Sequence, residues 1–87
     1  MDIEFPGPAV PAQDGGISYR ALVDGETVVC KFSMEALQDI DPSLTESPPI
    51  EQFEASMNRL LSIAEKKIRE EKVENDIVQI FTADLRS

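Results

Sequence analysis

The chain has 87 residues and is expected to form one domain over residues 1–87. Its 17 acidic and 8 basic residues, with no histidine, give a net charge of −9, so we expect neither nucleic acid nor an anionic membrane as a partner. There is no apolar run of the ~18 residues needed for a membrane helix, no signal-peptide pattern at the start, and one cysteine, so we expect a cytoplasmic protein without a disulfide.

The N-terminal segment is predicted to be a short strand followed by an irregular crossing. Ile3 and Phe5 alternate with acidic residues, which is typical of a strand with one buried face. Pro6 ends this strand, because proline has no amide hydrogen for a ladder. Residues 6–16 are therefore interpreted as an extended surface crossing that ends in a turn at Asp14-Gly15-Gly16.

A β-hairpin is predicted over residues 17–32, because two β-type runs flank Asp24-Gly25. A two-residue Asp-Gly loop favours a turn with positive φ at both positions, and this places Tyr19 opposite Cys30. The same register collects most apolar side chains on one face, so two independent signals agree. The opposite face is predicted to carry Ser18, Arg20, Leu22, Thr27, Val29 and Lys31.

Two helices are predicted next. Ser33 is a suitable N-cap for a short helix that directs Met34, Leu37 and Ile40 inward and ends at Asp41-Pro42. A long helix then begins near residue 47 or 48, because its apolar stripe repeats every 3.6 residues. The stripe consists of Ile50, Phe53, Met57, Leu60, Leu61, Ala64 and Ile68.

The last predicted strand covers residues 77–82, after a turn at Asn75-Asp76. It is apolar on both faces, which is typical of a strand that is covered on both sides or lies in the middle of a sheet. The order is thus β-β-β-α-α-β. We predict an α+β fold of two layers, in which the hairpin and the short strands form a sheet with two helices packed on one face.

Several short motifs along the chain occur together in a recognisable order. The first half contains Ile3-x-Phe5 before Pro-Gly, residues 21–25, Cys30, Ser33 and Ala36-Leu37. The second half contains Phe53, Arg59, Ile63-Ala64 and Asp84-Leu85. In these motifs the chain resembles a bacterial family catalogued as domain of unknown function 1488. The resemblance runs almost from end to end and implies the same fold, but it implies no activity.

No catalytic, cofactor-binding or metal-binding constellation is predicted. Without histidine the commonest catalytic base is absent, and Cys30 is expected to be buried and inert. One alternative is a small enzyme or anion-binding protein that uses Arg20 and Arg59, with Lys31 as a further anion contact. Another is an acidic mimic of nucleic acid, built from Glu35, Asp39, Asp41, Glu46 and Glu51.

The leading hypothesis is a regulatory or protein-interaction module that acts as a homodimer. Its basis is the second face of the sheet, where Leu22, Val29 and one apolar pair of the last strand would otherwise meet water. A contiguous apolar patch on such a surface often marks an interface. We therefore expect Leu22 and Val29 in a contact with a second copy, and a further, unidentified protein as partner.

Overall fold

A computed structural model describes residues 1–86. It has five strands in one mixed sheet and three helices, which confirms the α+β class. The strands are β1 (Ile3–Glu4), β2 (Ala9–Pro11), β3 (Ile17–Val23), β4 (Glu26–Phe32) and β5 (Ile77–Ile80). The helices are α1 (Met34–Ile40), α2 (Pro49–Ala55) and α3 (Met57–Arg69), with short 3-10 turns at Pro42–Leu44 and Thr82–Arg86.

The central hairpin of β3 and β4 has the predicted register. Tyr19 pairs with Cys30, and Asp24 and Gly25 both adopt positive φ, at 51° and 86°. Because side chains alternate along a strand, this register places Ile17, Ala21 and most of the other apolar residues of the hairpin on one face. The helices cover that face, so the predicted layer arrangement is confirmed.

The N-terminal crossing is more regular than predicted. Residues Ala9–Pro11 form β2, which pairs antiparallel with the first half of β3, while β1 pairs with its second half. Between them the chain bulges at Gly7, whose φ is +74° and whose amide donates to the carbonyl of Arg20 at 3.2 Å. An edge strand needs ladder bonds on one side only, so prolines are tolerated there.

Helix α1 begins and ends as predicted, but the predicted inward orientation of one of its side chains is wrong. The Ser33 hydroxyl accepts a hydrogen bond from the Ala36 amide at 3.1 Å, and the helix ends before Asp41. Met34, predicted to point inward, is 37% exposed, whereas Ala36 and Leu37 are fully buried. Met34 is the first residue of α1. The residues that face the sheet, Ala36 and Leu37, come later in the first turn, so the side chain of Met34 lies outside the buried face.

The predicted long helix is two helices, α2 and α3, separated at Ser56. Ser56 has φ −123° and ψ 21°, and its amide bonds to the carbonyl of Phe53 in a tightened last turn. Serine is tolerated at such a break because it is a weak helix former. The apolar stripe survives the break: Phe53, Leu60, Ala64 and Ile68 are all buried.

Aromatic contacts join the helical layer to the sheet. The ring of Phe53 stacks on Tyr19 with centroids 5.3 Å apart and tilts against Phe32 at 5.1 Å. Aromatic pairs of this kind contribute about 0.5–1.5 kcal/mol beyond their buried area. Around them lie the other buried apolar residues, among them Ile17, Leu37, Leu60, Val78 and Ile80.

Strand β5 is an edge strand parallel to β4, not a strand covered on both sides. Val78 and Ile80 face the helices and are fully buried. Ile77 lies beside Val29 on the opposite face and is half-buried, and Phe81, just beyond the strand, is 50% exposed. The second apolar face of the strand is therefore uncovered within residues 1–86.

The outer edge of β5 is closed by neighbouring groups. Ile77 exchanges two backbone hydrogen bonds with Glu74, at 2.9 Å each. The Lys67 ammonium donates to the carbonyl of Gln79, and the Asp84 carboxylate accepts from the Phe81 amide at 2.8 Å. Lys67 and Asp84 also form an ion pair of 2.9 Å. Capped groups of this kind leave little for an added strand to bind.

We expect the Asp84 contacts to make stability depend on pH. Burial raises the pKa of Asp84, but the Phe81 amide and the Lys67 ammonium outweigh it, so the pKa lies below the ordinary aspartate value. Its contribution is complete above the unfolded-state pKa and is lost as pH falls through the folded-state pKa. Asp84→Asn should lower the free energy of unfolding at pH 7 by about 1 kcal/mol in urea denaturation.

The control for this substitution is Glu46→Gln, at an exposed position in the connector. It should leave the free energy of unfolding unchanged. The difference between Asp84→Asn and the wild type should shrink as the pH is lowered past the folded-state pKa. A difference that stayed constant to pH 2 would show that the charge of Asp84 is not its cause.

Candidate functional site

The sheet surface turned away from the helices is called the open face here. The residues of the open face can be read from the register, because side chains of residues that pair across neighbouring strands point to the same side of the sheet. One row across it runs Arg20, Val29, Ile77, and the next runs Val10, Ser18, Lys31, Gln79. Glu4, Leu22 and Thr27 complete it towards the hairpin turn.

The two predicted interface residues lie side by side on the open face. Leu22 pairs with Thr27 and with Glu4, and Val29 is its diagonal neighbour on β4. Both side chains are half-buried although no helix covers them. Leu22 and Val29 therefore form the centre of an apolar strip that continues into Ile77.

Sequence reasoning missed the contribution of β2 to this face. Val10 is 46% exposed and, with Pro8 and Val29, lines an apolar depression of about 200 Å³ between β2 and β4. The alternation of Val10 with inward-facing Ala9 was the available signal, but the surrounding prolines obscured it. The apolar surface is thus wider than the hairpin alone indicates.

Charge on the open face differs from charge on the rest of the molecule. The only two basic residues among residues 1–54, Arg20 and Lys31, both lie on it, and Glu4 is its one acid. The Arg20 Nε donates to the carbonyl of Gly7 at 3.1 Å, which fixes the guanidinium beside the bulge. The open face is therefore apolar with a slight positive charge, on a chain of net charge −9.

The three predicted anion contacts are not brought together. Arg20 and Lys31 share the open face, whereas Arg59 is on α3, in the layer on the other side of the sheet. Its Nη2 donates to the carbonyl of Leu85 at 3.5 Å. Tyr19 is also on the helical side, where its hydroxyl donates to the carbonyl of Phe5 at 3.3 Å. The anion-site hypothesis would therefore have to rest on Arg20 and Lys31 alone.

The five carboxylates of the mimic hypothesis are spread over the helical side. They lie on α1, on the connector and on α2, and Asp41 is engaged with the amide and hydroxyl of Ser43 at 3.2 and 2.6 Å. Within residues 1–86 no three His, Cys, Asp or Glu side chains are arranged to hold a metal ion. In the same range, every helix is too short or too polar to cross a bilayer.

The thiol of Cys30 is in the core, between the sheet and the helices, and is fully buried. Burial raises its pKa to about 12. At pH 8 only about one thiol in ten thousand would then be ionised, and the thiolate is the reactive form. The geometry gives Cys30 the properties of a small apolar side chain.

We expect Cys30 to resist alkylation in the native protein. Iodoacetamide at pH 8, followed by mass spectrometry, should modify it only as fast as the protein unfolds, and completely in guanidinium chloride. The control is Ser62→Cys, at an exposed position on α3, whose added thiol should react within minutes. Comparable rates at both thiols in native buffer would disprove the inert assignment.

No curated protein and no solved structure matches this chain. The model of the family described as "Protein of unknown function (DUF1488)" matches residues 3–80, which include all five strands, all three helices and every residue of the open face. The match covers far more than half of the chain, and the chain therefore belongs to the DUF1488 family.

Proposed function

We propose that the protein is a regulatory or protein-interaction module that acts as a homodimer, with the open face as the contact between the two copies. The observation that carries the proposal is the apolar strip of Leu22, Val29 and Ile77, on a sheet surface that no second layer covers within residues 1–86. Packing against a second sheet would remove this strip from water, as the two layers of a sandwich do.

The condition of the sheet edges favours face-to-face packing over strand addition. At β5, Glu74, Lys67 and Asp84 bind outward backbone groups. The other edge consists of two strands of only two and three residues, and Pro11 in β2 has no amide to donate. The uncovered apolar face is therefore the surface that we assign to self-association.

The distribution of charge supports the same surface. Two chains of net charge −9 repel each other, so a dimer is least costly where the fewest acids meet. The open face has one acid, Glu4, whereas α1 and α2 are rich in exposed carboxylates. A dimer through the open face keeps those acidic helices outside, where a further protein partner can reach them.

We expect Leu22→Asp with Val29→Asp to produce a monomer in sedimentation equilibrium while the helical circular-dichroism signal is retained. Each aspartate would have to enter the contact without a partner, which is costly when buried. The matched control is Asn58→Asp with Ser62→Asp, which adds the same charge at exposed positions on α3 and should remain dimeric.

A second double variant tests the same contact without adding charge, in case the two aspartates prevent folding. Leu22→Thr with Val29→Thr keeps the charge and places a β-branched residue, which strands favour, at both positions, and it should also weaken the dimer. A wild-type protein that sediments as a monomer at high concentration would refute the homodimer.

We also expect the dimer to tighten with salt. Salt screens the repulsion between two acidic chains, and the Debye length falls from about 30 Å at 10 mM to about 3 Å at 1 M. Raising sodium chloride from about 20 to about 500 mM should lower the dimer dissociation constant about two- to tenfold. Weaker association at high salt would contradict an apolar contact between like-charged chains.

A further inference from the structure

A second surface feature, called the acid-rimmed groove here, lies at the hairpin-turn end of the molecule. It has a volume of about 390 Å³. Its floor is apolar and is formed by Val28, Ile68 and Val73, together with Val23 and the first residue, Met1. Val28 and Ile68 belong to the core, so the floor is the point where the core reaches the surface between β4 and the end of α3.

Four carboxylates surround this floor. Asp24 is in the hairpin turn and Glu26 follows it, Glu71 follows α3, and Asp76 precedes β5. Asp24, Glu71 and Asp76 have positive φ, at 51°, 61° and 61°, because each lies where the chain reverses direction. These reversals bring acids from three separate segments to one rim.

The four rim carboxylates have no lysine or arginine partner within residues 1–86, and no lysine or arginine in that range lines the groove. Apart from the α-amino group of Met1, no group of the lining residues is positively charged. Asp24 accepts a hydrogen bond from the Asp2 amide at 2.8 Å, which holds the rim in place.

We propose that the acid-rimmed groove binds a lysine or arginine side chain of a partner protein. Such a side chain has an apolar stem and a charged head, and it is favoured where the stem can lie on apolar surface while the head meets carboxylates. The floor of Val28, Ile68 and Val73 matches the stem, and the rim matches the head.

The groove is independent of the proposed dimer contact. Val23 and Val28 point to the helical side of the sheet, opposite to Leu22 and Val29, so the groove stays accessible when the open face is covered. A second copy is disfavoured as the occupant because its net charge of −9 opposes approach to an acidic rim. The negative charge of the rim favours a partner that presents a positively charged side chain.

The test uses the full chain labelled at its isoleucine and valine methyl groups and a blocked peptide, acetyl-Gly-Leu-Lys-Gly-amide. In NMR titrations this peptide should shift the methyls of Val28, Ile68 and Val73 in a saturable way, while those of Val29 and Ile77 on the open face stay unchanged. The matched peptide with glutamate in place of lysine should cause no saturable shift.

The matched variants remove rim charge without changing shape. Glu26→Gln with Asp76→Asn should weaken lysine-peptide binding about fivefold or more, and asparagine tolerates the positive φ of position 76. The control, Glu35→Gln with Glu54→Gln, neutralises two exposed acids on α1 and α2 and should bind like the wild type.

Three results would overturn the proposal. Equal binding of the glutamate peptide would show that charge is not recognised. Tighter binding of hexylammonium than of the lysine peptide would identify a small amine as the ligand. Shifts of the groove methyls with protein concentration alone would identify a second copy. None of these results depends on whether Leu22 and Val29 form a dimer contact.

Discussion

The pairing of Tyr19 with Cys30 is the constraint on which the rest of the structure depends. A two-residue turn at Asp24-Gly25 leaves no freedom in this register, and a slip of one residue would exchange the two faces of the ribbon. In the observed register one face receives Phe53 and the amphipathic stripe of α3, and the other is left uncovered. The core and the open face are therefore two results of the same turn.

Around this constraint the molecule separates its surfaces by chemistry. The open face is apolar with Arg20 and Lys31, the β5 edge is capped by side chains, and the helical side is acidic. An 87-residue chain buries a limited fraction of its surface by itself, so an uncovered apolar face is a considerable cost in water. Together with the capped β5 edge and the short strands at the other edge, this face favours association in which two sheets meet face to face.

Features that depend on neighbours in the chain were predictable from the sequence. These include the Asp24-Gly25 turn, the Ser33 cap and the 3.6-residue stripe of the helices. Features that depend on distant residues were not. The break at Ser56 lies between two helices that both pack against the sheet, the caps on β5 join residues 67, 79 and 84, and the acid-rimmed groove unites Met1 with the hairpin turn and the end of α3.

The parallel pairing of β4 with β5 affects the order in which the protein folds. Val29 and Ile77 are partners although about fifty positions separate them, so this pairing must close a long loop, whereas the hairpin closes over two residues. Local contacts generally form sooner than distant ones, which places β5 late in folding. Until β5 pairs with it, the edge of β4 has unpaired backbone groups. A high concentration of incompletely folded chains at that stage favours aggregation through this edge.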